Sequence, residues 1–289
     1  MARKPIALAI AYDFDGTLAP GNMQERNFIP AIGMTKSNFW DEVARQSKEY
    51  EADNILMYMK LMLDKAAAAK VAVRKKNFEE FGNNLEFFEG IMPSSENNSE
   101  NELGWFDRIN KYGRASGVAV EHYVISSGIR EMVMGSPIAK KFKAIFASSF
   151  CYDHHGIAAW PALALNYTTK TQYLFRVNKG SLHVYDHKII NDFVPHEQRA
   201  VPFEQMIFIG DGETDIPCFR LVKDQGGHAI AVYKPKTRKA KDRPEKLLKE
   251  GRVNFISPAD YRDKSALDKI VKAIIDKIAA DKNLKDLGK

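Results

Sequence analysis

The stretch Leu8-Ala9-Ile10-Ala11-Tyr12-Asp13-Phe14-Asp15-Gly16-Thr17-Leu18 decides how this chain folds. Leu8 to Ile10, after Pro5-Ile6, reads as a short buried strand, and Gly16-Thr17 is the break expected where a strand gives way to a turn. Asp13 and Asp15 therefore stand at a strand's carboxyl end, where open α/β sheets bind their ligands. A period of two sends both side chains to one side. Carboxylates that close repel each other unless a cation lies between them or one keeps its proton, which suits Mg2+ together with a general acid. A carboxylate can also attack phosphorus and split one hard displacement into two easier ones. Alone, an Asp-x-Asp-Gly turn is more often a set of side chains capping backbone amides, so the rest of the chain has to arbitrate.

Two further strand ends do so. Met206-Ile207-Phe208-Ile209 is a second apolar strand, followed by Gly210-Asp211-Gly212-Glu213-Thr214-Asp215. Tyr123-Val124-Ile125 is a third, ending in Ser126-Ser127-Gly128, whose hydroxyl and backbone donors suit an anion at the start of a helix. Together the three describe a phosphate held against a metal.

In this order the motifs resemble the haloacid dehalogenase superfamily, whose phosphatases carry Asp-x-Asp-Gly-Thr, a Ser or Thr after a strand, a Lys, and Gly-Asp-x-x-x-Asp. The resemblance implies that Asp13 is the nucleophile and Asp15 the general acid/base, with the Asp15 backbone carbonyl on Mg2+. It makes Asp211 a metal ligand and Asp215 an indirect or water-mediated metal partner. Ser126, Ser127 and Gly128 would hold the phosphoryl group. For the motif lysine there are two candidates. Lys179, in Asn178-Lys179-Gly180 ahead of an expected helix, is preferred, and Lys170, in Thr168-Thr169-Lys170-Thr171, is the rival; either supplies the permanent cation the chemistry wants.

The resemblance also implies a Rossmann-like, doubly wound α/β core with a mainly parallel sheet, and the alternation of strand and helix after Gly90 agrees. Between Leu18 and Gly90 the pattern is helical: Phe39 to Tyr50, Asn54 to Val73 and Phe78 to Phe88 are the expected helices. We read residues 1–19 and 90–289 as the catalytic core and 20–89 as an inserted helical cap, placed as in the subgroup containing phosphoserine phosphatase. Dimerisation is the competing role for these helices. Pro93 to Glu102 is polar and reads as a surface loop, Trp105 to Tyr112 as a helix, and Tyr152-Asp153-His154-His155-Gly156 as a hairpin turn. Adjacent histidines on a strand would face opposite ways, so no metal pair is expected there.

The 289 residues, 45% of them hydrophobic, support a substantial core. No stretch approaches the roughly 20 apolar residues of a membrane span, and Met1-Ala2-Arg3-Lys4 leads into a strand rather than a signal sequence, so a cytoplasmic enzyme is expected. Cys151 and Cys218 lack metal spacing and read as buried or half-buried thiols. The net charge of +6 is dispersed except in Lys234, Lys236, Arg238, Lys239, Lys241 and Arg243 and in the tail after Lys264. The tail carries Leu267, Ile270, Val271, Ile274, Ile275 and Ile278 at helical spacing and reads as a packing helix with a wet face. The expected function is a Mg2+-dependent phosphatase acting on a small phosphorylated metabolite through an aspartyl phosphate. The alternatives are a phosphomutase or phosphotransferase using the same intermediate, and a non-catalytic nucleic-acid-binding module using the basic surface. The first motif continues Leu18-Ala19-Pro20-Gly21, unlike phosphoserine phosphatase, and no cap residue matches that enzyme's serine-reading carboxylate or arginine.

Overall fold

Buried strands alternating with amphipathic helices build one seven-stranded sheet in the computed structural model, which describes residues 5–93 and 103–288. In chain order the strands are β1 (Ile6–Tyr12), β2 (Val118–Ile129), β3 (Ala144–Tyr152), β4 (Ala158–Leu163), β5 (Met206–Gly210), β6 (His228–Tyr233) and β7 (Phe255–Pro258). Across the sheet they lie in the order β4-β3-β2-β1-β5-β6-β7, and every neighbouring pair is parallel except β3 with β4.

The helices are α1 (Phe28–Ala31), α2 (Lys36–Glu49), α3 (Asn54–Ala68), α4 (Lys75–Asn83), α5 (Trp105–Ala115), α6 (Arg130–Gly135), α7 (Tyr167–Lys179), α8 (Lys188–Asn191), α9 (Ile216–Asp224), α10 (Asp242–Lys249) and α11 (Ala266–Leu287). They cover both faces of the sheet, because the strands are apolar on both. Leu8, Ile10 and Tyr12 of β1 enter one core with α5 and α11, while Ala9 and Ala11 enter another with Tyr173, Leu174 and Val177 of α7 and Phe219 and Val222 of α9. This is the doubly wound arrangement expected, and α11 buries the tail's apolar stripe. Among the described residues no helix is long and apolar enough to cross a membrane.

Strand order reverses direction at β1. The chain winds outward through β2 and β3, then returns to place β5 on the other side of β1, with Tyr12 in register with both Val124 and Ile209. A crevice opens at such a reversal, outside the strands' carboxyl ends. Asp13 and Asp211 directly follow strands that end there, and Ser126 lies near the carboxyl end of β2, where its register shifts.

Helices α1 to α4 are inserted between β1 and β2, and they share the first core rather than forming a separate one. Phe78 of α4 stacks on Phe150 of β3 with centroids 5.4 Å apart and planes 10° apart, a pairing worth about 0.5–1.5 kcal/mol beyond its buried area. The Ala158 amide donates to the Val73 carbonyl at 2.9 Å, so the insert is also tied to β4 through the backbone.

Several expectations need adjustment. Lys179 does not lead directly into a helix; it is the last residue of α7, which Gly180 terminates in the left-handed conformation at φ 75°. The Ser126 motif does not begin a helix: β2 continues to Ile129 through a register shift, and α6 starts at Arg130. The hairpin turn between β3 and β4 falls where expected, with His154 and His155 in it and their ring centroids 3.8 Å apart. Cys151 is exposed, whereas Cys218 is buried as expected. The polar run read as a loop lies, from Ser94 to Glu102, outside the described residues.

Candidate active site

The turn after β1 is built so that its carboxylates face the tip of β5. The Asp13 amide donates to the Ile209 carbonyl at 2.9 Å, and the amides of Leu18 and Ala19 both return to Phe14 O. Gly16 lets the chain make this turn at φ 72°, and a Cβ there would lie 2.0 Å from Asp211 Oδ2. The Tyr261 hydroxyl braces the loop from behind by donating to Thr17 O at 2.7 Å.

Asp13, Asp211 and Asp215 each offer a carboxylate oxygen within 4.8 Å of the others. Asp13 is 6% exposed and Asp215 fully buried. The amides of Asp211 and Gly212 both donate to Asp215 Oδ2 at 3.1 Å, and Thr17 Oγ1 donates to Asp211 Oδ1 at 3.4 Å. Asp15 stands outside this trio, its Oδ1 accepting from the Met23 amide at 2.9 Å.

The lysine that reaches the carboxylates is Lys170. Its side chain is fully buried, and its Nζ donates to Asp13 Oδ2 at 3.0 Å, Asp215 Oδ1 at 2.8 Å and Thr214 Oγ1 at 3.3 Å. The preference for Lys179 is corrected: its Nζ donates to the carbonyls of Ile190 at 2.7 Å and Asp192 at 2.6 Å. Nine residues of helix separate the two lysines, roughly 13 Å along the axis, so only the residue in the first turns of α7 reaches the strand ends.

Electrostatics mark the cluster as wanting positive charge. Burial, then the neighbouring Asp13 charge, holds Asp15 well above the usual carboxylate range. Burial followed by Asp215 and Asp13 pushes Asp211 up to about 8, and burial followed by Asp13 pushes Asp215 up to about 6. Burial disfavours the Lys170 charge, but Asp13 and Asp215 outweigh it and raise its pKa above the ordinary lysine value. One buried ammonium thus faces three converging carboxylates, all of them hard oxygen donors, a set that fits a divalent cation such as Mg2+.

A cavity of about 600 Å3 opens beside these groups, lined by Asp13, Asp15, Ser126, Ser127, Gly128, Asp211, Thr214 and Lys234, and on the far side by residues of the helical insert. Ser126 Oγ accepts from the Gly128 amide at 3.1 Å. Ser127 Oγ is buried without a hydrogen-bond partner among the described residues, an unspent donor where an anion would sit. Of the basic loop, Lys234 lines the cavity, while Arg243 pairs with Glu213 and Lys241 with Glu245.

Two contributors were missed in the sequence. Tyr58 of α3 donates to Ser127 O at 2.6 Å, clamping the phosphate loop from the insert. Met23 receives the Ile129 amide on its sulfur at 3.2 Å and supplies the amide that binds Asp15. Tyr58 lies in an apolar helical run whose pattern signals only packing, and Met23 is a lone apolar residue in a polar turn, so nothing in the spacing distinguishes either.

With this geometry the comparisons agree. The model of the haloacid dehalogenase-like hydrolases matches residues 10–220, and the chain belongs to that family. An uncharacterized protein of Borreliella burgdorferi is 28% identical over 288 residues, spanning 88% of this chain and 91% of that protein. Among solved structures, a HAD family hydrolase of Salmonella enterica serovar Typhi superposes with a TM-score of 0.57 at 14% identity, over 93% of this chain and 72% of that one. A substrate-bound phosphoserine phosphatase gives 0.53 at 15% identity, covering 92% and 98%, and a phospho-aspartyl intermediate analogue of phosphoserine phosphatase gives 0.52 at 15%, covering 93% and 99%. At these identities the structural matches speak to the fold.

Proposed function

We propose that this hydrolase is a Mg2+-dependent phosphatase of small phosphomonoesters, working through an aspartyl phosphate on Asp13. The observation that carries the reading is the convergence of Asp13, Asp211, Asp215 and Lys170, of which Asp13 and Asp211 line a cavity that Ser127, with its unspent hydroxyl, also lines.

Lys170 holds Asp13 in place and offsets its charge, so that the carboxylate can approach an anionic phosphate. An Asp13 carboxylate oxygen forms a bond to phosphorus as the ester oxygen leaves. Asp15, whose carboxyl is raised by burial and the Asp13 charge well above the usual carboxylate range, gives its proton to that leaving oxygen. Water then attacks phosphorus and surrenders a proton to Asp15, releasing inorganic phosphate and restoring the Asp13 carboxylate. Ser126, Ser127 and Gly128 hold the phosphoryl oxygens through hydroxyl and backbone donors. Asp13, Asp211 and the Asp15 carbonyl would hold a divalent ion, with Asp215 supporting Asp211 through the loop amides, and that ion would neutralise charge between nucleophile and phosphate. The insert, residues 20–89, acts as a cap that shields the acyl phosphate from solvent.

The test is an acid quench during turnover of an aryl phosphate with Mg2+, followed by peptide mass analysis. One phosphoryl group on the peptide containing Asp13, and no turnover by Asp13→Asn, are the expected results. Metal-dependent hydrolysis persisting in clean Asp13→Asn protein would reject the covalent route, and transfer of the phosphoryl group to a second sugar hydroxyl in place of water would reassign the enzyme as a mutase.

A further inference from the structure

The cavity above the carboxylates runs into the helical insert, and the side chains the insert presents there are uncharged. Trp40, Val43, Asn54, Ile55 and Tyr58 form this wall, with Gln24 at its junction with the core. Trp40 Nε1 donates to Glu25 Oε1 at 2.9 Å, and the Trp40 ring meets Tyr58 edge-on at 5.8 Å. The Tyr58 hydroxyl is engaged by Ser127 O. With their polar atoms occupied, both aromatic residues are left to offer ring surface. Lys234 is the only cation lining the cavity among the described residues, and it is exposed and belongs to the core, after β6. A carboxylate pressed against the insert wall would give up its water for no partner, whereas an apolar body would gain by burial.

One polar atom of this wall stands apart. Gln24 is 2% exposed, and its Oε1 has no hydrogen-bond partner among the described residues. A buried carbonyl oxygen without a partner is costly, and an N–H or O–H of a bound molecule that reached it would relieve that cost.

We infer that the leaving-group side of the site takes an uncharged alcohol with an apolar or aromatic body and one hydrogen-bond donor for Gln24, and rejects alcohols that carry a carboxylate. The inference rests on the phosphomonoesterase reading for its orientation, with the phosphate at the carboxylates and the alcohol against the insert. Phosphoserine, with both a carboxylate and an ammonium on its alcohol, is on this account a poor substrate.

Binding separates the inference from the chemistry. With Mg2+ present, calorimetry on the wild-type protein compares benzylphosphonate, its 4-hydroxymethyl derivative and its 4-carboxy derivative, none of which can be hydrolysed. The hydroxymethyl compound is expected to bind about fivefold tighter than the parent, one hydrogen bond's worth, and the carboxylate tenfold or more weaker. Gln24→Met should bring the hydroxymethyl-to-parent ratio to one. As a second variant, Gln24→Glu should create a preference for the 4-aminomethyl compound. A carboxylate that binds as well as the parent, or a hydroxymethyl preference that survives Gln24→Met, overturns the inference. Turnover of the matching phenyl phosphates is scored separately: hydrolysis without the binding order sinks this specificity alone, and the binding order without hydrolysis sinks the phosphatase reading.

Discussion

The Lys170 ammonium lies 3.0 Å from Asp13 Oδ2 and 2.8 Å from Asp215 Oδ1, with all three groups buried, so it fixes the position of Asp13 and the loop after β5 at once. Lys170→Met should therefore lower kcat/KM by about 10²–10³, as loss of one preorganised electrostatic partner does, and destabilise the fold by about 3 kcal/mol through the unpaired carboxylates. Lys179→Ala, which releases only two carbonyls at the other end of α7, should stay within about twofold in kcat/KM. Steady-state kinetics on both variants decide, and equal losses would show that Lys170 has no special role.

Asp15 is expected to matter in proportion to how badly the leaving group needs a proton. For an alkyl phosphate, Asp15→Asn should cost about 10²–10⁴ in kcat. For 4-nitrophenyl phosphate, whose phenolate leaves unaided, the loss in the phosphorylation step should be much smaller. Single-turnover rates on the two esters measure the contrast, and identical losses would remove Asp15 from the proton transfer.

Tyr58 couples the insert to the phosphate loop through one hydrogen bond to Ser127 O. Tyr58→Phe deletes that bond together with the hydroxyl's contacts to Ser148 and Gln24, for a stability loss of at least about 1 kcal/mol. Phosphate affinity should fall with it, because the Ser127 backbone loses its anchor. Denaturant midpoints and competitive inhibition by inorganic phosphate report the two effects.

Metal binding should stabilise the fold measurably. Mg2+ in excess over its dissociation constant raises the melting temperature by mass action on the native state, and a chelator reverses the gain. In Asp211→Asn protein one carboxylate of the trio is gone, so the Mg2+-induced shift should shrink. Thermal melts with and without Mg2+ test this without reference to activity.

His122 should set part of the acid limit of stability. It is 2% exposed, with Nδ1 3.0 Å from the Tyr12 hydroxyl and Nε2 3.0 Å from Asn110 Oδ1, a pairing the neutral ring satisfies. Burial pulls its pKa from the ordinary 6.5 down to about 3. Between those values the unfolded chain takes up a proton that the folded one refuses, so stability falls as pH drops below about 6.5, by up to ~1.4 kcal/mol per pH unit. Urea midpoints for the wild type and His122→Gln should diverge in slope across this window and run parallel above it. Parallel profiles throughout would show that the histidine titrates freely.

Much of the architecture was legible because it rests on local rules. Apolar runs such as Leu8 to Ile10 and Met206 to Ile209 can only be buried strands, and the Asp and Gly residues after them can only end those strands. Asp13, Asp15, Ser126, Asp211 and Asp215 were singled out as candidates that way, from the position of a polar group relative to a strand end, and Asp13, Asp211 and Asp215 do come together. The presence of helices in the insert was legible for the same reason, since Phe39 and Val43 stand one helical turn apart, but the expected second and third helices overran their ends, which fall at Ala68 and Asn83 instead of Val73 and Phe88.

What spacing alone determined was thus a doubly wound sheet with acidic groups at its rim. Tertiary structure alone decided which lysine joins them and what the insert contributes. Lys170 and Lys179 belong to one helix and carry the same charge, and the choice between them depends on which end of α7 the sheet's strand order brings over β1 and β5. Gln24 and Tyr58 acquire their roles only when the insert folds back over Ser127, because a side chain's partners across the cavity are set by packing, which periodicity along the chain does not record.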